Sequence, residues 1–281
     1  MHPPLAAGEF AKYSALGNDY LVIDSATFGP LDPARVRAIC DRHHGVGSDG
    51  ILLRAAAAPG RFGLRIHNPD GSEAEKSGNG LRIFARFLFD FGYTQARDFY
   101  IETPGGLVQA WLHGNGCDVE SIEVAMGRAS FVSSALPMGG PERDVVAETL
   151  TVGDESLVIT AVNVGNPHCV CFVPKLDVAA LRRLGPLIER HASFPRRTNV
   201  QFVHVRDRGN LDILIWERGV GETLASGSSS CATAAAAVKN GLVDGDLQVH
   251  MPGGVLAITV AADYAVTMRG TANPVCRGVL L

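Results

Sequence analysis

Glu73-Ala-Glu-Lys-Ser77-Gly78-Asn79-Gly80-Leu81-Arg82 and Glu222-Thr-Leu-Ala-Ser226-Gly227-Ser228-Ser-Ser-Cys231 lie 149 residues apart and follow one plan. In each, a glutamate precedes a Ser-Gly pair by four residues, and a glycine placed to stop a helix, Gly92 or Gly241, follows the serine after fifteen. A Pro-Gly-Gly turn comes next, at Pro104 and at Pro252. Upstream, Gly17-Asn18 opens the apolar run Tyr20-Leu-Val-Ile, and 148 positions later Gly165-Asn166 opens Cys169-Val-Cys-Phe-Val. Four landmarks in the same order at a nearly constant offset indicate a chain built from two copies of one unit.

The local patterns give each copy its elements. After Ser77, apolar residues fall at Leu81, Phe84, Phe87, Leu88 and Phe91, the period of a helix with one buried stripe. After Ser226 the run Cys231-Ala-Thr-Ala-Ala-Ala-Ala-Val is small and apolar nearly all round, which predicts a more deeply buried helix. The Pro-Gly-Gly turns lead into alternating runs, Leu107 to Leu112 and Val255 to Val260, that read as strands. The expected fold class is α+β: two pseudo-symmetric lobes, each a mixed β-sheet or barrel wrapped around a central helix, with the active-site cleft between them. Residues 1–126 form the first lobe, joined by a returning strand at 272–281, and 127–271 form the second. Hinges are expected near Met126 and Thr271, so that closure excludes water from a bound ligand.

With 46% hydrophobic and 19% charged residues among 281, there is ample material for packed cores and no compositional sign of disorder. A net charge of -4 supplies no general attraction to nucleic acid or acidic membranes, so a small-molecule partner is favoured. The start, MHPPLAAGEF, is no secretory signal, and no apolar stretch is long enough to span a membrane; a cytoplasmic location is expected. Cys40, Cys117, Cys169, Cys171, Cys231 and Cys276 are scattered and read as reduced, mostly buried thiols.

Both Ser-Gly pairs sit at helix starts, where first-turn amides lack internal partners and the macrodipole is positive, so a carboxylate can dock there without a basic side chain. Serine is also a favoured N-cap in its own right. A serine hydrolase is disfavoured, because neither serine lies in G-x-S-x-G. The string Gly45-Val-Gly47-Ser-Asp-Gly50 matches G-x-G-x-x-G in the wrong context, with a helix-like segment before it and strand-like Ile51-Leu-Leu after it, so no dinucleotide is expected. His168, Cys169 and Cys171 are not expected to ligate a metal, since strand alternation puts the cysteines on one face, as core residues, and His168 on the other, towards the cleft. Glu217-Arg218, at the end of a strand-like run, is either a surface ion pair or a clamp for a substrate's ammonium and carboxylate. Asn68, Asn166 and Asn199 also suit turns.

Six ordered motifs then make the chain resemble the diaminopimelate epimerases, from Lys12 to the C-terminus. They are Gly17-Asn18-Asp19-Tyr20, Arg42-His-His-Gly-Val-Gly-Ser-Asp-Gly50, Asn68-Pro-Asp-Gly-Ser-Glu-Ala-Glu-Lys-Ser-Gly-Asn-Gly-Leu-Arg82, Asn163-Val-Gly-Asn-Pro-His168, Arg197-Thr-Asn199-Val-Gln-Phe, and Glu217-Arg-Gly-Val-Gly-Glu-Thr-Leu-Ala-Ser-Gly227. The resemblance implies a cofactor-independent interconversion of LL- and meso-diaminopimelate by two-base proton transfer at the α-carbon, in lysine and cell-wall precursor synthesis, by a homodimer. It implies that Asn18, Asn68, Asn166, Asn199, Glu217 and Arg218 bind substrate together with amides around Gly78-Asn79 and Gly227-Ser228. It also implies that His168 and Glu217 tune the acid-base pair.

The departure from the family is at the chemistry. Where it carries two catalytic cysteines, this chain has Ser77 and Ser226. A thiol ionises near pH 8.5 and lower at a helix N-terminus, whereas a serine hydroxyl scarcely ionises near neutrality. Two origins fit: an engineered Cys-to-Ser pair that binds without turning over, which the otherwise intact motifs favour, or a natural relative with another reaction or with binding alone. A racemase for another amino acid such as histidine is the nearest enzymatic alternative, and an amino-acid-binding relative without catalysis the nearest non-enzymatic one.

Overall fold

The computed structural model describes residues 2–280, in two compact units: 2–125 with 269–280, and 126–268. The fold is dominated by mixed sheet with few helices.

In the first unit the strands are β1 (Glu9–Ala15), β2 (Asn18–Asp24), β3 (Ile51–Ala55), β4 (Arg61–His67), β5 (Glu73–Ala74), β6 (Asp98–Thr103), β7 (Gly106–His113) and β8 (Ser121–Arg128), whose last residues cross into the second unit. Its helices are α1 (Ser25–Phe28), α2 (Pro33–Cys40) and α3 (Gly78–Asp90). The returning strand Asn273–Val279 pairs antiparallel with β1. In the second unit β9 (Glu148–Val152), β10 (Glu155–Asn163) and β11 (Pro167–Phe172) precede α4 (Val178–Glu189). Then follow β12 (Asn199–Asp207), β13 (Asn210–Glu217), β14 (Gly221–Thr223), α5 (Gly227–Lys239), β15 (Asp246–Met251), β16 (Gly254–Val260) and β17 (Ala265–Gly270), whose last two residues belong to the first unit.

The duplication extends to the pairing register. Leu21 of β2 lies opposite Ile51 of the parallel strand β3, and Cys169 of β11 lies opposite Val200 of the parallel strand β12. Ile51 pairs antiparallel with His67, as Val200 does with Trp216. His67 then pairs with Glu73, as Trp216 does with Glu222. A one-residue slip would move every side chain to the opposite face, so this agreement means that equivalent positions aim equivalent side chains.

The central helices start where the sequence places them, and each has thirteen residues. The expected contrast in depth is absent. In α3 all residues except Arg86 and Asp90 are buried, so the single apolar stripe underestimates it. Small or apolar residues fill most off-stripe positions, and Arg82 is 0% exposed because carbonyl acceptors draw its guanidinium inward. Helix α5 packs with Ala and Ser against β10, β11, β12, β13 and β16, where small side chains let strands approach closely.

Outer helices cover the other sheet faces. In the first unit Val36, Ile39 and Cys40 of α2 pack on Leu21, Ile23 and Ile51. In the second, Leu181, Leu184 and Ile188 of α4 pack on Cys169, Cys171, Val200, Phe202 and Leu214, so both β11 cysteines are core residues and His168 takes the opposite face. Helix α4 carries a glycine in mid-course because it crosses the Trp216 ring: a Cβ on Gly185 would lie 2.9 Å from the indole Cγ. Gly185→Ala is expected to destabilise the protein by about 1–3 kcal/mol through overpacking, although alanine is the better helix former. Chemical denaturation checks this, and an unchanged or raised midpoint would contradict it.

Candidate active site

In the first unit the site begins at the α3 N-terminus. Ser77 has extended backbone and its Oγ accepts from the amide of Gly80 at 3.1 Å, an N-cap that satisfies one first-turn donor. The Tyr20 hydroxyl is 3.5 Å from the same Oγ. Gly50 makes room for that ring: with φ of 151°, a Cβ there would lie 2.4 Å from the His67 carbonyl and 2.9 Å from Tyr20 Cε1. Asn79, in the first turn, donates to Asn18 Oδ1 at 2.5 Å and accepts from Arg82 Nη2 at 2.7 Å. Asn18 donates in turn to Asp49 Oδ2 at 3.4 Å.

Asp49 belongs to the loop between α2 and β3, which an ion network ties to the β1–β2 turn. Lys12 Nζ and Arg42 Nη2 contact Asp19 at 2.7 and 2.6 Å, and Arg42 also contacts Asp49 at 2.7 Å. Although burial opposes it, hydrogen bonds from Arg42 and Lys12 hold the Asp19 carboxyl down at about 2. Asn68 follows the last residue of β4 and donates to Ser72 Oγ at 3.0 Å.

In the second unit Ser226 caps α5, its Oγ accepting from Ser229 N at 3.4 Å and lying 3.4 Å from Ser228 Oγ. The Glu217 carboxyl, at the end of β13, hydrogen-bonds Ser226; burial pushes its pKa up, and that hydrogen bond works the other way. Asn199 supports the turn that follows, donating to the Pro167 carbonyl at 3.0 Å and accepting from the Arg218 amide at 2.9 Å. Below the turn the buried Glu189 of α4 accepts from Trp216 Nε1 at 2.9 Å and from the Gly219 amide at 3.0 Å. The Arg218 guanidinium, at an exposed position, donates to the Arg196 carbonyl at 3.3 Å.

His168 is wholly enclosed rather than open to a cleft. Gln201 Nε2 donates to its Nδ1 at 3.0 Å and also to Ser229 Oγ at 3.0 Å, so Nε2 carries the proton and faces Asn166 Oδ1 at 2.8 Å. Burial pushes His168 down to about 3, so it is neutral near pH 7. It orients neighbours through hydrogen bonds and brings no charge.

Within the first unit Ser77, Asn79 and Asn18 are thus joined, with Asn68 at a neighbouring strand end. Within the second, Ser226, Ser228 and Glu217 form one contact group, Asn166 and His168 another, and Asn199 holds the Arg218 backbone. Sequence reasoning missed Tyr20, Gln201 and Glu189 as parts of this scaffold. The duplication held a signal for Tyr20, which occupies the register position of His168.

The buried imidazole fixes a pH dependence. The unfolded chain takes up a proton at this residue near pH 6.5 and the folded chain only near pH 3, so this contribution to stability is complete above about 6.5 and is lost as pH falls towards 3. Asp19 adds its loss only below about pH 4. His168→Gln is therefore expected to flatten the fall in stability between about pH 6.5 and 4, a slope of at most about 1.4 kcal/mol per pH unit. Burial also lowers His67, so the difference between the two proteins is the readout. Identical slopes in urea titrations would contradict the assignment.

The sequence profile described as Diaminopimelate epimerase matches residues 10–132 and 160–275. A protein of Nostoc sp. named Diaminopimelate epimerase 2 is 46% identical over 274 residues, spanning 97% of this chain and 95% of its own. The Diaminopimelate epimerase of Desulforudis audaxviator is 42% identical, covering 96% and 98%. Among solved structures, a hydroxyproline epimerase from Agrobacterium vitis aligns with a TM-score of 0.69 at 16% identity, covering 96% of this chain and 91% of that one. A phenazine biosynthesis protein of the PhzF family from Bacillus anthracis aligns at 0.70 and 16%, covering 99% and 100%. These two share the fold. With nearly its whole length matched at this identity to proteins so named, the chain belongs to the diaminopimelate epimerase family of isomerases.

Proposed function

We propose that this chain is a scaffold for cofactor-independent inversion at the α-carbon of diaminopimelate, with Ser77 and Ser226 standing where the acid and base act. The observation that carries the reading is the pair of buried thirteen-residue helices that begin, at equivalent positions, with a serine in the N-cap. First-turn amides at Gly78-Asn79 and Gly227-Ser228 receive the reacting carboxylate. Asn18, Asn68, Asn166, Asn199, Glu217 and Arg218 bind the substrate, chiefly its distal amino-acid end. The enzyme works in the cytoplasm as a homodimer, as the family likeness implies.

Each side chain has a defined task. One group removes the α-proton while the other delivers a proton to the opposite face, and the amides stabilise charge developing on the carboxylate. Glu217 acts on Ser226 directly; His168 acts through Gln201 and Ser229. As written, the chain binds substrate and turns it over slowly or not at all, because a hydroxyl is a poor base near neutrality whereas a thiol at a helix N-terminus is a usable one.

The double variant Ser77→Cys/Ser226→Cys is expected to wash deuterium from solvent into the α-position of diaminopimelate at least about a hundredfold faster than the parent chain. Either single variant is expected to exchange the α-proton on one face without inverting the centre, because one thiol can remove and return a proton whereas inversion needs both groups. A doubly substituted protein that binds diaminopimelate yet exchanges no proton would overturn the reading in favour of a binding protein. Exchange with histidine but not diaminopimelate would move it to a different racemase.

A further inference from the structure

The duplication leaves two turns at equivalent places, and they are held in different ways. One runs from Asn68 to Ser72 between β4 and β5, the other from Glu217 to Gly221 between β13 and β14. Their backbones agree: the Gly71 amide donates to the Asn68 carbonyl at 2.9 Å, and the Val220 amide to the Glu217 carbonyl at 3.1 Å. The first turn carries its own support. Asp70 Oδ1 accepts from Ser72 N at 2.8 Å and from Ser72 Oγ at 2.6 Å, and Asn68 Nδ2 donates to that hydroxyl. Where the first turn has Asp70, Gly71 and Ser72, the second has Gly219, Val220 and Gly221, which offer no polar side chain.

Helix α4 supplies what the second turn lacks. Arg182, Gly185 and Glu189 are spaced three and four residues apart and so share one face of the helix. Arg182 Nε contacts Glu222 Oε2 on β14 at 2.6 Å, and Gly185 leaves room for the Trp216 ring on β13. Glu189, 3% exposed, reaches the turn itself: Oε2 accepts from Trp216 Nε1 at 2.9 Å and Oε1 from the Gly219 amide at 3.0 Å. Two N–H donors on separate oxygens call for a carboxylate, since an amide of the same shape would turn its NH2 group towards one of them. The outer helix of the first unit, α2, contains no acid, and His67, at the register position of Trp216, has no hydrogen-bond partner for its buried Nε2 among the described residues.

We infer that Glu189 is a positioning residue for substrate selectivity: through Gly219 it holds the β13–β14 turn in the geometry in which Arg218, beside Glu217, grips a second amino-acid terminus. Glu189 acts through the turn and not on the ligand. A segment of two glycines around one valine is otherwise free to take many conformations, and each binding event would then cost the entropy of ordering it. Asn199 fixes the Arg218 amide and Glu189 the Gly219 amide, so that cost is met on folding. The effect falls on the far end of the substrate, because the reacting carboxylate is received by the helix starts. The inference rests on the proposed binding role of Arg218.

Calorimetric titration of the serine chain with LL-diaminopimelate tests it. Glu189→Gln is expected to bind at least about tenfold more weakly than the parent, because one buried donor loses its acceptor. Removing that donor relieves the conflict: Trp216→Phe/Glu189→Gln is expected to bind within about threefold of Trp216→Phe alone. In the Ser77→Cys/Ser226→Cys background, Glu189→Gln is expected to raise KM for deuterium exchange at least about tenfold and to change kcat by no more than about threefold. A loss of general stability would instead lower the active fraction, and with it kcat, at unchanged KM. Gly219→Val strains the turn from its own side, at a φ of 79°, and leaves the buried carboxylate in place; it is expected to raise KM in the same way. Equal affinities of the parent and Glu189→Gln overturn the inference and leave the proposed function standing, as does an unchanged KM in Gly219→Val, whether or not Glu189→Gln folds. A parent chain that binds no diaminopimelate refutes the proposed function, and the inference falls with it.

Discussion

A helix cannot satisfy its own first amides, and in this protein both central helices bring that deficit to a place where the chain has arranged other partners around it. Ser77 and Ser226 each satisfy one donor through Oγ, and the residue after each is glycine, which adds no side chain above the remaining N–H groups. The rest of the structure serves to hold these two turns still. Burial of nearly every residue of α3 and α5 fixes the helices inside their sheets, and the outer helices fix the sheets from the other side.

Support for each turn comes from polar groups that sheet packing would not demand. In the first unit a chain of contacts runs from Lys12 and Arg42 through Asp19 and Asp49 to Asn18, and from there to Asn79 and Arg82. In the second, Glu189 and Asn199 hold the backbone that carries Glu217 and Arg218, while His168 and Gln201 reach Ser229. Several of these groups are deeply buried, where loss of one partner leaves the other unsatisfied at a cost of about 1–3 kcal/mol. Such networks fix orientation more than they add stability.

Much of this could be read in the chain. The repeated Ser-Gly, Gly-Asn and Pro-Gly-Gly landmarks carried the duplication, and the helix starts at Gly78 and Gly227 and the strands at Gly106–His113 and Gly254–Val260 followed from caps, turns and alternation. What periodicity could not reveal was burial of a charge. Arg82 lies off the apolar stripe of α3, yet carbonyl acceptors from its own helix and from Thr271, 189 positions away, make the interior a better place for it. Likewise His168 reads as a cleft residue because it follows a Gly-Asn turn, whereas partners from β12 and from its own turn enclose it. Gln201 sits within an apolar run, and only the duplication, through its match to His168, marks Tyr20.

The central claim is that Ser77 and Ser226 serve one tetrahedral carbon, and a crystal structure of this serine form soaked with LL-diaminopimelate measures it directly. The account predicts the α-carbon about 3–3.5 Å from both Oγ atoms, on opposite faces, with its carboxylate on the amides of Gly78-Asn79 and Gly227-Ser228. A ligand bound against only one of the two serines, or away from both, would contradict it.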